Sequence, residues 1–300
     1  MVKIEFSTLF FKAAALLSVI ITIAFIGFIF YTAYPIVSMM GINFFLSSKW
    51  NEFEHVYGIF PFIIGTICIT ALTMIIACPI SIFTAIFLAE YAPKNFEMIL
   101  RPMIELLVGI PSVVYGIFGF FVLRGLFVDY INPAISNTLG FIPIFQDNSA
   151  NGVGLLLASC VLSIMVLPTI TVLTQDTLRS LPREYKEASL SLGSTKWEYI
   201  KKIALPASIS GITTGILLGL MRAMGETMAI VMLTGNSPHT PTTIFDTMYA
   251  MTSKILNEMG ENFSEDEPLR ALFAIAAVLF LMEITIVYIT RIISRRAKKV

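Results

Sequence analysis

Two ionisable residues, Arg222 and Glu226, lie deep inside a long apolar stretch of the sequence. Arg222 is about 15 residues into that stretch, or ~22 Å along a helix axis. A charge at such a depth in a membrane costs at least ~2.5 kcal/mol and usually has a function. Glu226 follows at i+4, so a continuous helix would present both side chains on one face. A guanidinium holds an oxyanion at two points, and the carboxylate would neutralise it when no anion is bound. The pair predicts either an oxyanion gate or an ion pair that only fixes helix packing.

Small residues continue the same helical face towards its start. Gly211, Gly215 and Gly219 are spaced by four, and Gly219 precedes Arg222 by three. Glycines at this spacing let another helix backbone approach closely. We expect this stripe to face a partner subunit and a translocation path rather than lipid.

A second apolar stretch is interrupted between Gly109 and Gly116. Pro111 frees a carbonyl group, and irregular backbone is tolerated in a membrane only beside protein or a water-filled cavity. Pro111 and Ser112 are therefore expected to line the same path. Glu105 is interpreted as favouring the first turn of this span through the helix dipole. Glu283, in the last apolar stretch, is either a second partner for Arg222 or a hydrogen-bonding partner of a threonine.

A polar segment, residues 177–206, separates two apolar stretches and is called the polar hairpin below. Gly193 stands where a first short helix would end in a left-handed residue. Thr195 and Glu198 form a capping-box pattern for a second helix, and Pro206 predicts where that helix gives way to a membrane span. Two short helices bent at a glycine form a rigid knob, which is a shape that docks into a groove of a partner.

An enzymatic function is not supported by the motifs. The chain has no phosphate-binding Gly-x-x-x-x-Gly-Lys-Ser/Thr loop, no His-Glu-x-x-His and no Gly-x-Ser-x-Gly. His55 and His239 are solitary and fall in predicted outer loops. We predict no catalytic residue, no metal site and no cofactor bound by this chain. A polytopic membrane enzyme would need a catalytic constellation at membrane depth, and a stand-alone secondary transporter would need no docking knob.

Composition indicates an all-α polytopic membrane protein. Of 300 residues, 56% are hydrophobic and 13% charged, whereas soluble domains carry about 25% charged residues. Membrane helices need about 20 apolar residues each, with all backbone groups bonded internally. Six spans are predicted, at residues 13–34, 59–89, 103–124, 151–175, 207–234 and 269–291.

Basic residues are concentrated on one side of the predicted membrane. They flank the first span, follow the second, fill the polar hairpin and end the chain, whereas an acidic run precedes the sixth span. Because cytoplasmic loops are enriched in Lys and Arg, we expect a multi-pass protein of the bacterial inner membrane with both termini in the cytoplasm. The acidic run outside the membrane comprises Glu258, Glu261, Glu265, Asp266 and Glu267.

The predicted organisation is a first span with an outer interfacial loop (1–58), a core of five spans (59–291) and a basic tail (292–300). Residues 125–150 are expected to form an outer loop. Apolar residues recur at helical spacing between 244 and 259, so this stretch is either an amphipathic helix on the outer surface or a packed loop helix.

The polar hairpin resembles the Glu-Ala-Ala loop of ATP-binding-cassette import permeases. Glu187-Ala188-Ser189, then Gly193 after three residues, then Ile203-Ala204-Leu205-Pro206 reproduce its spacing, with Ser189 in place of the second alanine. The resemblance implies a type I importer permease core. It also implies that Glu187, Ala188, Ser189 and Gly193 couple the permease to an ATPase.

Two further stretches resemble phosphate-import permeases of this class. They are Gly109-Ile-Pro-Ser-Val-Val-Tyr-Gly116 and Arg222-Ala-Met-Gly-Glu-Thr-Met-Ala229, and Thr227-Met228-Ala229 with Phe60–Thr66 favour the PstC type over the PstA type. The resemblance implies a phosphate importer in which this chain forms half of the path. Its implied partners are a PstA-like permease, two PstB-like ATPases that use ATP, a PstS-like binding protein and lipid, but no nucleic acid. The same machinery for sulfate, molybdate or phosphonate remains an alternative.

Overall fold

The computed structural model describes residues 6–146, 151–260 and 266–297 of the chain. Apart from one two-stranded hairpin, β1 (Trp50–Asn51) with β2 (Val56–Tyr57), the regular structure in these ranges is helical. The α-helices are α1 (Phe6–Met40), α2 (Asn43–Leu46), α3 (Phe60–Ile86), α4 (Lys94–Val108), α5 (Ser112–Phe118), α6 (Arg124–Leu126), α7 (Asn132–Leu139), α8 (Leu155–Arg179), α9 (Arg183–Ser191), α10 (Lys196–Tyr199), α11 (Leu205–Gly225), α12 (Met228–Leu233), α13 (Met251–Met259) and α14 (Asp266–Ala297). Turns of π-helix lie at Phe87–Tyr91, Gly119–Leu123, Phe127–Ile131 and Ile200–Ala204, and a 3-10 turn at Pro143–Phe145.

Six helical stretches in the described ranges are long and apolar enough to cross a membrane, which confirms the predicted number. They are Thr8–Met40, Phe60–Tyr91, Ser112–Leu139, Leu155–Arg179, Lys196–Gly225 and Asp266–Ile292.

The predicted bounds of the third span were wrong. Residues 103–108 belong to α4, a separate amphipathic helix that ends before Gly109. Pro111 has extended backbone angles and precedes the first residue of α5, so the chain restarts its helix there. The helix then continues past 124 to Leu139, so the first half of the expected loop 125–150 is helical. Glu105 consequently pairs with Arg101 inside α4, at 2.8 Å, instead of beginning a span.

The chain divides into two compact units. The first contains the described residues up to Phe60 together with 255–281. Within it, α1 packs on the first half of α14 through edge-to-face ring pairs, Phe28 with Phe273 and Phe30 with Phe280. Trp50 and Tyr57 pair their rings across the β-hairpin, with centroids 5.2 Å apart.

The second unit contains residues 61–254 with the described residues from 282 onwards, and α8 is the helix at its centre. Side-chain hydroxyl groups join α8 to α3 along much of their length. Ser163 donates to the carbonyl of Thr73 at 3.1 Å, and Ser159 donates to that of Ile69 at 3.4 Å. Further along, Ser81 and Thr171 donate to backbone carbonyls of the opposite helix. These four bonds, 3.1–3.4 Å long, join α3 and α8 in apolar surroundings that strengthen hydrogen bonds.

The stretch between α12 and α13 is a packed loop rather than a surface helix up to residue 250. Its backbone carbonyls at Ile244 and Asp246 accept the first amide groups of α8, at 2.8 and 3.0 Å. The Asp246 carboxylate in turn accepts hydrogen bonds from the amides and hydroxyls of Thr242 and Thr243. Partial burial opposes ionisation, but these four bonds outweigh it and hold the pKa of Asp246 below its usual value. Of the expected outer acidic run, residues 261–265 lie outside the described ranges.

Candidate functional site

The glycine stripe of α11 packs against α8 of the same chain. A Cβ atom added at Gly219 would stand 2.7 Å from Ile170 Cγ1, and one at Gly211 would stand 2.2 Å from the Thr177 hydroxyl. Gly215 is buried between them. The expectation that this stripe meets a partner subunit was therefore wrong, because the side chains that it admits come from α8.

The fifth apolar stretch, expected to be continuous over 207–234, is broken at Glu226. Helix α11 ends at Gly225, Glu226 has extended backbone angles, and α12 begins at Met228. Glu226 is therefore not on the face of α11 that carries Arg222, which corrects the expected i+4 geometry. Its carboxylate instead accepts the amide of Ala229 at 3.2 Å and caps α12. The hydroxyl of Thr252 donates to its carbonyl oxygen at 2.9 Å, so the unwound residue keeps a backbone partner.

Arg222 lies in the last turn of α11, half-buried, with its guanidinium near α8. Its Nη1 donates to the Thr169 hydroxyl at 3.5 Å, which is a long hydrogen bond. Among the described residues no carboxylate stands within 4 Å of it, so the expected Arg222–Glu226 ion pair is not formed. A cation at a helix C-terminus is stabilised by the helix dipole. Most donors of this guanidinium remain available for an anion.

Two other elements meet at the break. A Cβ at Gly116 of α5 would stand 3.2 Å from Ala229 Cα, so the start of the third span lies against α12. Ser112 is half-buried and Pro111 is exposed at the entrance to α5. A carboxylate oxygen of Glu283 in α14 lies 3.9 Å from the position a Cβ would take at Gly225. An unwound segment between two half-helices, with one available cation, is the arrangement that membrane transporters use to bind ions.

The polar hairpin has the predicted local structure in its turn. Gly193 follows α9 with a φ of +84°, the left-handed conformation expected of it. The capping box at α10 is present: Thr195 Oγ1 accepts the Glu198 amide at 3.3 Å, and Glu198 Oε2 accepts the Thr195 amide at 2.9 Å. The second helix does not end at Pro206, however. It continues through the π-turn Ile200–Ala204 into α11, where proline fits the first turn.

The side chains of the hairpin divide into an inner and an outer set. Ser189 is buried, and its hydroxyl lies 2.6 Å from that of Ser194, so it fastens the two arms to each other. Glu187 and Ala188 are exposed, and three large apolar side chains of the hairpin are exposed as well, namely Tyr185, Leu192 and Trp197. Leu192 is 89% exposed. An exposed apolar tip on a polar segment is a typical protein-contact surface.

Sequence reasoning missed two carboxylates that hold the hairpin. Glu90, at the end of the second span, binds Lys186 at 2.5 Å, and Glu97 binds Arg179. Gln175 also donates to Glu97, at 2.9 Å. The available signal was two acidic residues flanking the end of an apolar stretch in a region otherwise rich in cations. Within the described residues no cluster of three or more metal-ligating side chains occurs.

Comparison with solved structures identifies the class to which this fold belongs. Two solved transporters share it: a bacterial importer of the acidic polysaccharide alginate (TM-score 0.54, 19% identity, 95% of this chain and 96% of that one) and the MetNI methionine ABC transporter (TM-score 0.54, 15% identity, 78% and 93%). At these identities the likeness concerns the fold alone, which is that of ABC importer permeases.

Curated relatives are more similar in sequence. Phosphate transport system permease protein PstC of Pasteurella multocida is 36% identical over 265 residues, which is 87% of this chain and 82% of the relative. Probable ABC transporter permease protein YqgH of Bacillus subtilis is 38% identical over 259 residues, 86% and 79% of the two chains. Residues 79–299 match the family model described as binding-protein-dependent transport system inner membrane component. The chain therefore belongs to this family of multi-pass transport permeases.

Proposed function

We propose that this chain is a membrane subunit of an ATP-driven importer of inorganic phosphate. The observation that carries the proposal is Arg222, a half-buried guanidinium with no carboxylate partner in the described residues, at the break of the fifth span. A planar fork of donors matches a tetrahedral oxyanion. Relatives at 32–37% identity that are named as PstC phosphate permeases support phosphate over other oxyanions.

In this mechanism the chain supplies half of the path and no catalytic group. Arg222 would bind the anion at the break, with Glu226, Pro111 and Ser112 beside it. Glu187, Ala188 and the exposed tip of the hairpin would contact an ATPase, and Gly193 and Ser189 would hold the hairpin in shape. ATP hydrolysis would come from that partner.

The proposed assembly also contains a second, related permease, two ATPase subunits and an extracytoplasmic binding protein. We place it in the bacterial inner membrane with both termini and the polar hairpin in the cytoplasm. The concentration of cations in and around the hairpin supports this orientation.

Uptake of radiolabelled phosphate by a strain lacking this gene tests the proposal. We expect the gene to restore uptake. We also expect that a tenfold excess of sulfate, molybdate or phosphonate does not compete with phosphate. Competition by one of these anions at equal concentration would move the assignment to that anion. Uptake that persists when cellular ATP is depleted would favour a secondary transporter.

A further inference from the structure

Glu90 joins both arms of the polar hairpin to the second span. It lies in the π-turn Phe87–Tyr91 that ends α3, and its side chain is only 9% exposed. Its carboxylate binds Lys186 of α9 at 2.5 Å. Its backbone carbonyl accepts a hydrogen bond from Lys196 of α10. One residue therefore contacts the helix on each side of the Gly193 turn.

A buried apolar cluster lies beside this junction, while Glu90 and Lys186 also line an open pocket. Ile86 of α3, Tyr199 of α10 and Ile200 of the following π-turn belong to one buried cluster. The Glu90 carboxylate is nearly buried, whereas the Lys186 side chain is 37% exposed. Removal of Lys186 would therefore leave a buried charge without compensation. Turns of π-helix often mark functional positions in helices, and here one lies on each side of the contact, in the second and fifth spans.

The contacts continue from this junction to the anion site. The hydroxyl bonds described above join α3 to α8, and the hydroxyl of Thr169 in α8 accepts the hydrogen bond of Arg222. A movement of the hairpin transmitted through Glu90 would thus displace α3 and α8 together, and with them one wall of the site. Packed elements and ion pairs of this kind carry energetic coupling between distant sites.

We propose that Glu90 is a positioning residue for energy coupling, which fixes both arms of the hairpin to the second span so that hairpin movement reaches the anion site. The proposal rests on the proposed function, because it requires an ATPase that moves the hairpin. It assigns Glu90 a part beyond folding: the ion pair with Lys186 has to persist while the hairpin is displaced.

The test uses the whole transporter, purified with its ATPase and reconstituted in liposomes, and measures phosphate transported per ATP hydrolysed. Three variants are compared with the wild type: Glu90→Gln, Glu90→Lys, and the exchange Glu90→Lys with Lys186→Glu. The matched control is Glu105→Gln, which removes another carboxylate from an ion pair, Glu105 with Arg101, within a single helix.

We expect Glu90→Gln to lower the ratio of phosphate to ATP about fivefold, within the range that single residues on a coupling route produce. The ATPase should still co-purify, the exchange should recover the ratio to within about twofold of wild type, and Glu105→Gln should leave it unchanged. An unchanged ratio in Glu90→Gln would overturn the proposal. The proposal would also be overturned if the exchange gave a ratio of phosphate to ATP no higher than Glu90→Lys alone. Loss of the ATPase from all three variants would overturn it as well. If the wild-type transporter hydrolyses no ATP during uptake, the proposed function itself is wrong.

Discussion

At the scale of single residues, Arg222 and Glu226 do different things. Arg222 has one long hydrogen bond and a place at a helix C-terminus, so its charge is stabilised mainly by the dipole and left available. Glu226 has a structural duty as the cap of α12. In the proposed path its charge would also compete with an anion for Arg222. The two roles of Glu226 can be separated, because glutamine keeps an acceptor oxygen and loses only the charge.

We therefore expect Glu226→Gln to fold normally and to import phosphate slowly, because no charge at position 226 then competes with the bound anion for Arg222. Glu226→Ala should also lose the cap, which is worth about 1 kcal/mol of stability. The measurement is phosphate uptake beside the midpoint of thermal unfolding of each purified variant. Equal loss of stability in both variants would assign Glu226 to structure alone.

The carboxylate of Asp246 predicts how the stability of the fold depends on pH. Its pKa is depressed in the folded protein by bonds from Thr242 and Thr243. The stability that it contributes is therefore fully present above its unfolded pKa and is lost as the pH falls through the folded pKa. Asp246→Asn should lower the free energy of unfolding by about 1 kcal/mol at pH 7.

The comparison is made by thermal unfolding of both proteins in detergent from pH 7 down to the lowest pH at which the wild type stays folded. The difference between wild type and Asp246→Asn should shrink as the pH falls below about 4, the usual range for an aspartate. A gap that widens on acidification would contradict the sign of the shift. Asp129, an exposed aspartate without a hydrogen bond from the described residues, provides the control Asp129→Asn.

The depth of Arg222 was readable from the sequence because hydropathy alone reveals a charge inside a span. The missing ion pair was not readable. The assumption of a continuous helix placed Glu226 one turn beyond Arg222, whereas Thr252, distant in sequence, satisfies the unwound backbone. Glu90 and Glu97 were missed for a related reason: their partners, Lys186 and Arg179, come from a segment far along the chain.

At the scale of elements, the contact between α8 and α11 depends on small residues. A Cβ at Gly219 would stand 2.7–2.8 Å from Ile170 and Val166, so Gly219→Ala has to push two branched side chains aside. Overpacking of this kind costs about 1–3 kcal/mol. Thermal unfolding should show a lower midpoint for Gly219→Ala than for the control Gly27→Ala, which adds a methyl group to α1 where no atom lies within 4 Å. Equal midpoints would show that the helices can move apart freely.

The turn of the hairpin requires a left-handed backbone conformation at Gly193, whereas the space around this residue is open. No atom lies within 4 Å of a Cβ added at Gly193, yet its φ of +84° disfavours side chains, by about 1–2 kcal/mol. We expect Gly193→Val to stay in the membrane and to uncouple ATP hydrolysis from uptake. Gly193→Asn should keep most of the activity, because asparagine tolerates left-handed angles. Full activity of the valine variant, measured as uptake per membrane-bound permease, would refute a rigid docking knob.

The elements were predicted best where periodicity and capping act locally. The hairpin turn and its capping box follow from Gly193, Thr195 and Glu198 alone. Span number follows from hydropathy, but the third span was misplaced because α4 has apolar residues on one face and merges with the next apolar stretch. Only the backbone at Pro111 separates them. The glycine stripe was predicted to be a contact surface, but the spacing of the glycines does not indicate which helix packs against it.

At the scale of the whole molecule, the second unit connects the hairpin to the proposed anion site at Arg222 through contacts that all lie in one chain. Glu90 holds the hairpin to α3, hydroxyl groups hold α3 to α8, and α8 contacts both α11 and Arg222. In the proposed mechanism these contacts form the route for mechanical work, and a partner ATPase hydrolyses ATP. The proposed mechanism requires that this route acts on Arg222.

The most direct measurement is ATP-driven phosphate accumulation in liposomes that contain the assembled transporter at equal amounts of wild type, Arg222→Lys or Arg222→Ala. Lysine keeps the charge but loses the two-point fork. We expect poor accumulation with Arg222→Lys and almost none with Arg222→Ala, while both variants still assemble with the ATPase. Thr169→Val, which removes only the long hydrogen bond to Arg222, should stay close to wild type. Accumulation by Arg222→Ala at the wild-type rate would contradict the account and remove Arg222 from the path.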